Sequence, residues 1–425
     1  MLKLTDYEEQ MLDGKEGRLK QVAMEKIVKY AKALGAKELC KVTKATLYCG
    51  AHGYLDVLGS DDIDEIFSQM NMCTSEELSL DEIAECCFAQ TCVAPMDSDK
   101  WEDLGVTERN YQKNEEFLDY YLDAGVEIAG SCVPYLTGWI PLMGEHFVTS
   151  ESHVVLMCNS IWGACGNSDG IEAGFWSAVC GRTPKWGNHI MENRKGTHLF
   201  NLECKSETIV DWDLIGYTVG RKLPFHSVPV LDGEFRKPDI IRLKQCYGSM
   251  ATTSGAEMCH IVGVTPEART LDEALGVEEP QEIITITDED IAQSRAMLCS
   301  DKEGKVEFVT LGCPHYTIEE IKEVAEFLEG KTIDSEVKLL VWTTYTIKAM
   351  ADRSGYTEII QQAGGDIYTS SCPLVAGKRS HQGVIGIVTD SGKQSHYLKS
   401  ESSTDVYFGN KFECLKSAVT GKWEV

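Results

Sequence analysis

Apolar residues recur at three- and four-residue spacing through the first 35 positions, in LTDYEEQMLDGKEGRLKQVAMEKIVKYAKALGA. The spacing predicts a helical opening that stops at Gly35. TKATLYCGAH then reads as a strand and SDDIDEIFSQM as an amphipathic helix with an acidic start. Residues 108–124 read as a helix feeding the strand VEIAGSC. Residues 145–200 are rich in Gly, Ser, Asn and His, with few long periodic runs, and read as binding loops. The pattern is clearest in the last third. VEFVTLG is a continuous apolar strand, and Thr317-Ile318-Glu319-Glu320 is a capping box opening the helix IKEVAEFLEG, which Gly330 closes. VKLLVWTT, YTIKAMADRSGYTEIIQQAGG and DIYTSS follow as strand, helix and strand. Such alternation predicts an α/β chain built on parallel sheets with right-handed crossovers. The expected division is residues 1–300, N-terminal α/β lobes with Gly/Ser/Asn-rich active-site loops, and residues 301–425, a βαβαβ lobe.

Composition narrows the class. With 425 residues and 43% hydrophobic content, the chain can build two or three domains with real cores. The N-terminus is charged from the start, no run approaches a membrane span, and 17 cysteines is an odd number. Together these point to a reducing cytoplasm. A formal net charge of −27, spread along the chain, disfavours nucleic acid and anionic membrane as partners. It leaves a small anionic substrate open, because a pocket can concentrate Arg, Lys and helix N-termini.

Three cysteines stand where expected strands end, each with a proline one or two residues later: Cys132 in VEIAGSCVPY, Cys313 in VEFVTLGCPHY and Cys372 in DIYTSSCPLVA. Ligands of open α/β sheets gather beyond the carboxyl ends of strands. Three thiolates delivered there suit an iron–sulfur site with one iron lacking a cysteine. Buried free cysteines that only pack give the same spacing, and the residues alone leave both readings open. No C-x-x-C occurs, which argues against a zinc ribbon, a thioredoxin-type pair or a local ferredoxin run. The remaining cysteines, Cys40 among them, read as core or incidental. Cys313 and Cys372 are expected at one edge of one sheet and Cys132 in another lobe, with the site in the cleft between them.

The blocks SCVPYLTGWIPLMGEH, ESHVVLMCNSIWGA, GRTPKWGNHIMENR, TTSGAEMCHIVGVTPEA, LGCPHYTIEEI, SSCPLVA and TDSGKQSHY occur in that order. They resemble the aconitase X family from about Tyr7 to about Gly421. The resemblance implies an aconitase-like multi-lobed α/β fold and a hydro-lyase. It implies dehydration of cis-3-hydroxy-L-proline, as in many bacterial members, or of 5-phosphomevalonate, as in archaeal ones. It also implies an iron–sulfur centre held by Cys132, Cys313 and Cys372, as [4Fe–4S], [2Fe–2S] or a single iron. The first substrate is preferred here because no added basic cluster for a phosphate is evident. A non-catalytic iron–sulfur subunit is the alternative from another class.

Removing a proton beside a carboxylate and expelling hydroxide calls for cations that hold the carboxylate. The motif positions offer Arg194 in HIMENR and Lys393 in TDSGKQSHY, with Asn193 positioning Arg194 and Ser391 orienting Lys393. His52, flanked by glycines in GAHG, is placed to bind or protonate the departing hydroxyl. Ser152 and Asn159 lie in a polar stretch, and Ser254-Gly255 forms an anion-binding turn. Two departures matter. Where the family carries basic residues, this chain reads Ala164-Cys165-Gly166-Asn167-Ser168, leaving Cys158 and Cys165 as extra thiols nearby, and Glu257 stands where the family is apolar. The aconitase architecture also uses a swivelling domain, which nothing up to Val425 supplies. A separate small swivel-domain subunit is therefore expected, and the chain alone is expected to be inactive.

Overall fold

The structure, a computed structural model, describes residues 1–49, 57–92, 100–376, 378–401 and 404–424. The helical opening is two helices, α1 (Asp6–Leu12) and α2 (Arg18–Ala33), not one. They part at Gly14 and Gly17, both in the left-handed region (φ 76° and 94°). Beyond them lies the first sheet. Its strands are β1 (Leu39–Leu47), β2 (Cys86–Ala89), β3 (Val126–Glu127), β4 (His146–Thr149) and β5 (Arg182–Pro184). The order is β3-β2-β1-β4, all parallel, and β5 pairs antiparallel with the start of β1. The expected helix at residues 108–124 is present as α3 (Glu108–Asp123), capped by Thr107. SDDIDEIFSQM forms one α-turn at Ile63–Ile66 that runs into a π-turn at Phe67–Asn71.

The loop reading of residues 145–200 needs correction. The segment contains α4 (Ser152–Trp162) and α5 (Ile171–Cys180). All eight residues His153–Ser160 of α4 are buried, so the helix has no polar stripe and its sequence no amphipathic period. Gly163 and Gly181, with φ of 66° and 65°, end the two helices as left-handed C-caps.

The second sheet, order β8-β7-β6-β9, is made of β6 (His198–Glu203), β7 (Pro229–Gly233), β8 (His260–Ile261) and β9 (Glu282–Thr287). It carries α6 (Ile209–Lys222) and α7 (Ile240–Thr253), which pack so closely that a Cβ on Gly216 would sit 2.0 Å from the Cys246 carbonyl oxygen. Helix α8 is Asp288–Leu298.

The third sheet holds β10 (Phe308–Tyr316), β11 (Lys338–Thr343), β12 (Gly365–Thr369), β13 (Gly386–Thr389) and β14 (Asp405–Phe408), in the parallel order β12-β11-β10-β13-β14. Every residue of β10 is buried, as a central parallel strand requires. Helix α9 (Ile318–Leu328) opens with the Thr317/Glu320 capping box read from the sequence. The helix expected at 345–365 is two, α10 (Tyr345–Arg353) and α11 (Tyr356–Gln362), because Gly355 turns left-handed at φ 77°. Helix α12 (Gly392–Glu401) follows β13, and α13 (Lys411–Thr420) closes the sheet.

Candidate functional site

The third sheet aims Cys313 into a crevice by breaking its own ladder. Leu311 pairs with Val341 and Tyr316 with Thr343, so the stretch between them on β10 is three residues longer than on β11. That stretch, Gly312 to His315, bulges out at the carboxyl end of the strand, as bulges beside functional sites do. Gly312 has φ 102°, and a Cβ there would lie 2.3 Å from the Trp342 carbonyl oxygen. After β12, Ser370 adopts φ 63°, unusual for a residue with a side chain, and the chain turns to present Cys372.

Cys132, from the segment after β3, meets these two in one cavity of about 190 Å³. The cavity is lined as well by Thr91, Glu151, His153, His315 and Lys393. The sequence-predicted residues brought together there are thus Cys132, Cys313, Cys372 and Lys393, with Ser391 behind Lys393. Burial raises all three thiols, pushing Cys313 up to about 12. The Glu151 charge adds to the rise at Cys132 and the Cys372 charge to that at Cys313, while Lys393 opposes it at Cys313.

Lys393 sits in the first turn of α12, its Nζ 3.3 Å from Glu151 Oε1. Burial pulls its ammonium down, but the charges of Glu151, Cys313 and Cys132 outweigh that, so it is held protonated. Ser391 Oγ accepts the Gln394 N–H at 3.1 Å and caps the same helix start. Asp213 accepts the Gly392 N–H at 2.9 Å and the Gln245 amide at 2.9 Å, and pairs with the Ser249 hydroxyl. Burial pushes the Asp213 carboxyl up to about 7. The cavity therefore faces a lysine carried on the first turn of a capped helix.

Two buried side chains hold the cysteine segments in place. His315 Nδ1 lies 3.1 Å from Ser131 Oγ and Nε2 lies 2.9 Å from the Ser371 carbonyl oxygen. It thereby ties the residues preceding Cys132 and Cys372 to the strand of Cys313. Lys244 donates to the Pro314 and His315 carbonyls at 3.3 and 2.8 Å and to Glu320 at 2.8 Å.

The other predicted residues stand elsewhere. Arg194 is fully buried, and its N–H groups go to Glu267, to the Asn159 side chain and carbonyl, and to the Asn188 carbonyl. That uses the guanidinium up and leaves none of it for a substrate. Asn159 also clasps Gly166 through N–H and C=O at 3.0 and 2.8 Å. Asn193 donates to the Gly187 carbonyl, and Ser254 donates to the Met250 carbonyl at the end of α7, with Gly255 exposed beside it. Ser152 opens α4 directly after Glu151. His52 lies outside the described residues. Glu257 gains a physical account: its carboxylate accepts the Ser168 N–H at 2.7 Å and the Asn188 amide at 2.9 Å, pinning the loop where basic residues are missing.

Sequence reasoning missed Glu151, His153, His315, Thr91 and Asp213. Glu151 and His315 were within reach, since each adjoins or sits within a block singled out for another residue.

Three soft donors on separate segments, a nearby cation and no fourth cysteine among the described lining residues fit an iron–sulfur cluster with one iron free of thiolate. A coordinated metal also removes the cost these buried thiols carry as thiolates.

Residues 1–192, 196–296 and 306–420 match the first, second and third domains of aconitase X. The large subunit of phosphomevalonate dehydratase from Methanocaldococcus jannaschii is 30% identical over 97% of this chain and 99% of its own. Cis-3-hydroxy-L-proline dehydratase from Pseudomonas aeruginosa is 27% identical, over 99% of this chain and 70% of its own. The crystal structure of holo aconitase X from Thermococcus kodakaraensis superposes with a TM-score of 0.81 at 29% identity, covering 98% of this chain and all of the other.

Proposed function

This chain belongs to the aconitase X family, and we propose that it is the large subunit of an iron–sulfur hydro-lyase that dehydrates a small hydroxy acid. One observation carries the reading: the thiols of Cys132, Cys313 and Cys372 share one cavity with a protonated Lys393.

In this reading the three cysteines hold the cluster, which when bound supplies a Lewis acid for the hydroxyl that leaves. Lys393 holds the substrate carboxylate, onto which charge moves as the neighbouring C–H proton is removed and hydroxide departs. Glu151 orients Lys393. Asp213 and Ser391 fix the helix start that carries it. Burial keeps His153 neutral, with Nε2 2.9 Å from the Tyr135 hydroxyl, so the wall it forms adds no charge.

The preferred substrate is cis-3-hydroxy-L-proline, dehydrated to 1-pyrroline-2-carboxylate. Lys393 is the lysine or arginine among the described cavity-lining residues, and Glu151 stands beside it. That balance suits an amino acid better than a phosphate. The second reading, 5-phosphomevalonate, is favoured by the end-to-end match to large subunits of that name. Both readings include a small partner subunit.

The test is turnover of both compounds by the iron-loaded chain, alone and with its small subunit. Dehydration of hydroxyproline only by the pair supports the proposal. Turnover of phosphomevalonate instead overturns the substrate, and no dehydration of either by the loaded pair overturns the preferred substrate and its alternative.

A further inference from the structure

A second set of metal-binding side chains lies at the other end of the first sheet. Cys40 is the second residue of β1 and His146 the first of β4, strands that run parallel. The cysteine cavity lies beyond their carboxyl ends, where Glu151 follows β4. Four residues, roughly 15 Å of chain, separate Glu151 from His146. His189 ends the short turn Gly187–His189 and completes the group. One donor atom from each of Cys40, His146 and His189 lies within 4.8 Å of the others.

The spacing admits a single ion in place of the hydrogen bond between the two rings. Nδ1 of His146 and Nδ1 of His189 are 3.0 Å apart. Two nitrogens on one tetrahedral zinc, each at roughly 2.0–2.1 Å, stand about 3.3 Å from each other. Cys40 and His189 are buried and His146 is half-buried, so the donors are sheltered but not sealed. Burial holds both imidazoles in the neutral form that binds metal, pushing His189 down to about 3. Cys165 runs alongside His146 in the backbone, but its sulfur faces Met191 Sδ at 3.9 Å and is not part of the group.

We propose that Cys40, His146 and His189 bind a zinc-class divalent cation that staples the starts of β1 and β4 to the turn at residues 187–189. One thiolate and two imidazoles are the donor set of a borderline-soft ion. Binding breaks the Cys40 S–H bond, forms a metal–sulfur bond and releases the proton to water. The site is independent of the cysteine cavity and of the function proposed for it.

Cobalt(II) is the probe. In a chain whose other site is removed by Cys132→Ser, Cys313→Ser and Cys372→Ser, one equivalent of cobalt is expected to bind. It should release one proton on binding and show tetrahedral d–d bands and a thiolate-to-cobalt band, and zinc should displace it with no further proton release. Adding Cys40→Ser should abolish the thiolate band, and His189→Gln should weaken binding by at least about tenfold, with far-UV circular dichroism unchanged. Absence of bound cobalt, or a thiolate band that survives Cys40→Ser, overturns the site and leaves a hydrogen-bonded histidine pair beside a packed thiol. Should the triple-serine chain not fold, the comparison is made in the native chain. There Cys40→Ser must lower bound cobalt by one equivalent, and unchanged stoichiometry overturns the proposal.

Discussion

Nε2 of His315 donates to the Ser371 carbonyl oxygen across 2.9 Å, joining the bulge after Cys313 to the turn before Cys372. The same ring accepts from Ser131 through Nδ1, so one imidazole ties the three segments that carry the cysteines. Replacing it with leucine strands two buried polar groups, at about 1–3 kcal/mol each. His315→Leu is expected to lower the unfolding midpoint and the iron retained after anaerobic purification, and His315→Gln to restore part of both. Full iron content in the leucine variant would contradict the tether.

Lys393 is expected to matter for turnover and little for folding. Lys393→Met removes the cation facing the cavity, and kcat should fall about 10²–10³-fold in the complete enzyme with unchanged circular dichroism. Glu151→Gln, which leaves the cation but loosens its orientation, should cost less. Steady-state kinetics on both variants distinguish the two roles; equal losses would place Glu151 in the chemistry itself.

Gly312→Ala puts a methyl group 2.3 Å from the Trp342 carbonyl oxygen at φ 102°. The expected cost is about 1–3 kcal/mol, read as a lower midpoint in urea. A variant as stable as the native chain would mean that the bulge relaxes freely.

Asp213 gives a pH dependence with a definite sign. Burial lifts its folded pKa to about 7, above the 3.8 of an ordinary aspartate. The folded state therefore binds more protons between those values, and stability from this group is lost as pH rises through about 7. Asparagine keeps the acceptor for Gly392 and Gln245 and lacks the titration. The stability of Asp213→Asn relative to native is thus expected to rise from pH 4.5 to pH 8, with other groups cancelling in the difference. A flat difference would refute the assignment.

Much of the third sheet was legible because its strands are continuous apolar runs and α9 carries its capping box in four residues. That alone put Cys313 and Cys372 on one rim. What was not legible follows from burial. Helix α4 is buried all round, so its residues gave no amphipathic period and read as loop. Arg194 looked like a free cation by its residue type and motif, yet Glu267, 73 residues away in sequence, takes up its charge. The role of Glu257 depends on a main-chain N–H 89 residues away, which no local pattern reports.

The central claim is that Cys132, Cys313 and Cys372 hold the iron. The most direct test is iron and acid-labile sulfide measured on the anaerobically purified chain and on its Cys132→Ser, Cys313→Ser, Cys372→Ser variant. Stoichiometric iron in the native chain, lost in a variant that keeps its circular dichroism spectrum, is the predicted result. Iron that survives the triple change, or a native chain free of iron after anaerobic reconstitution, would contradict it.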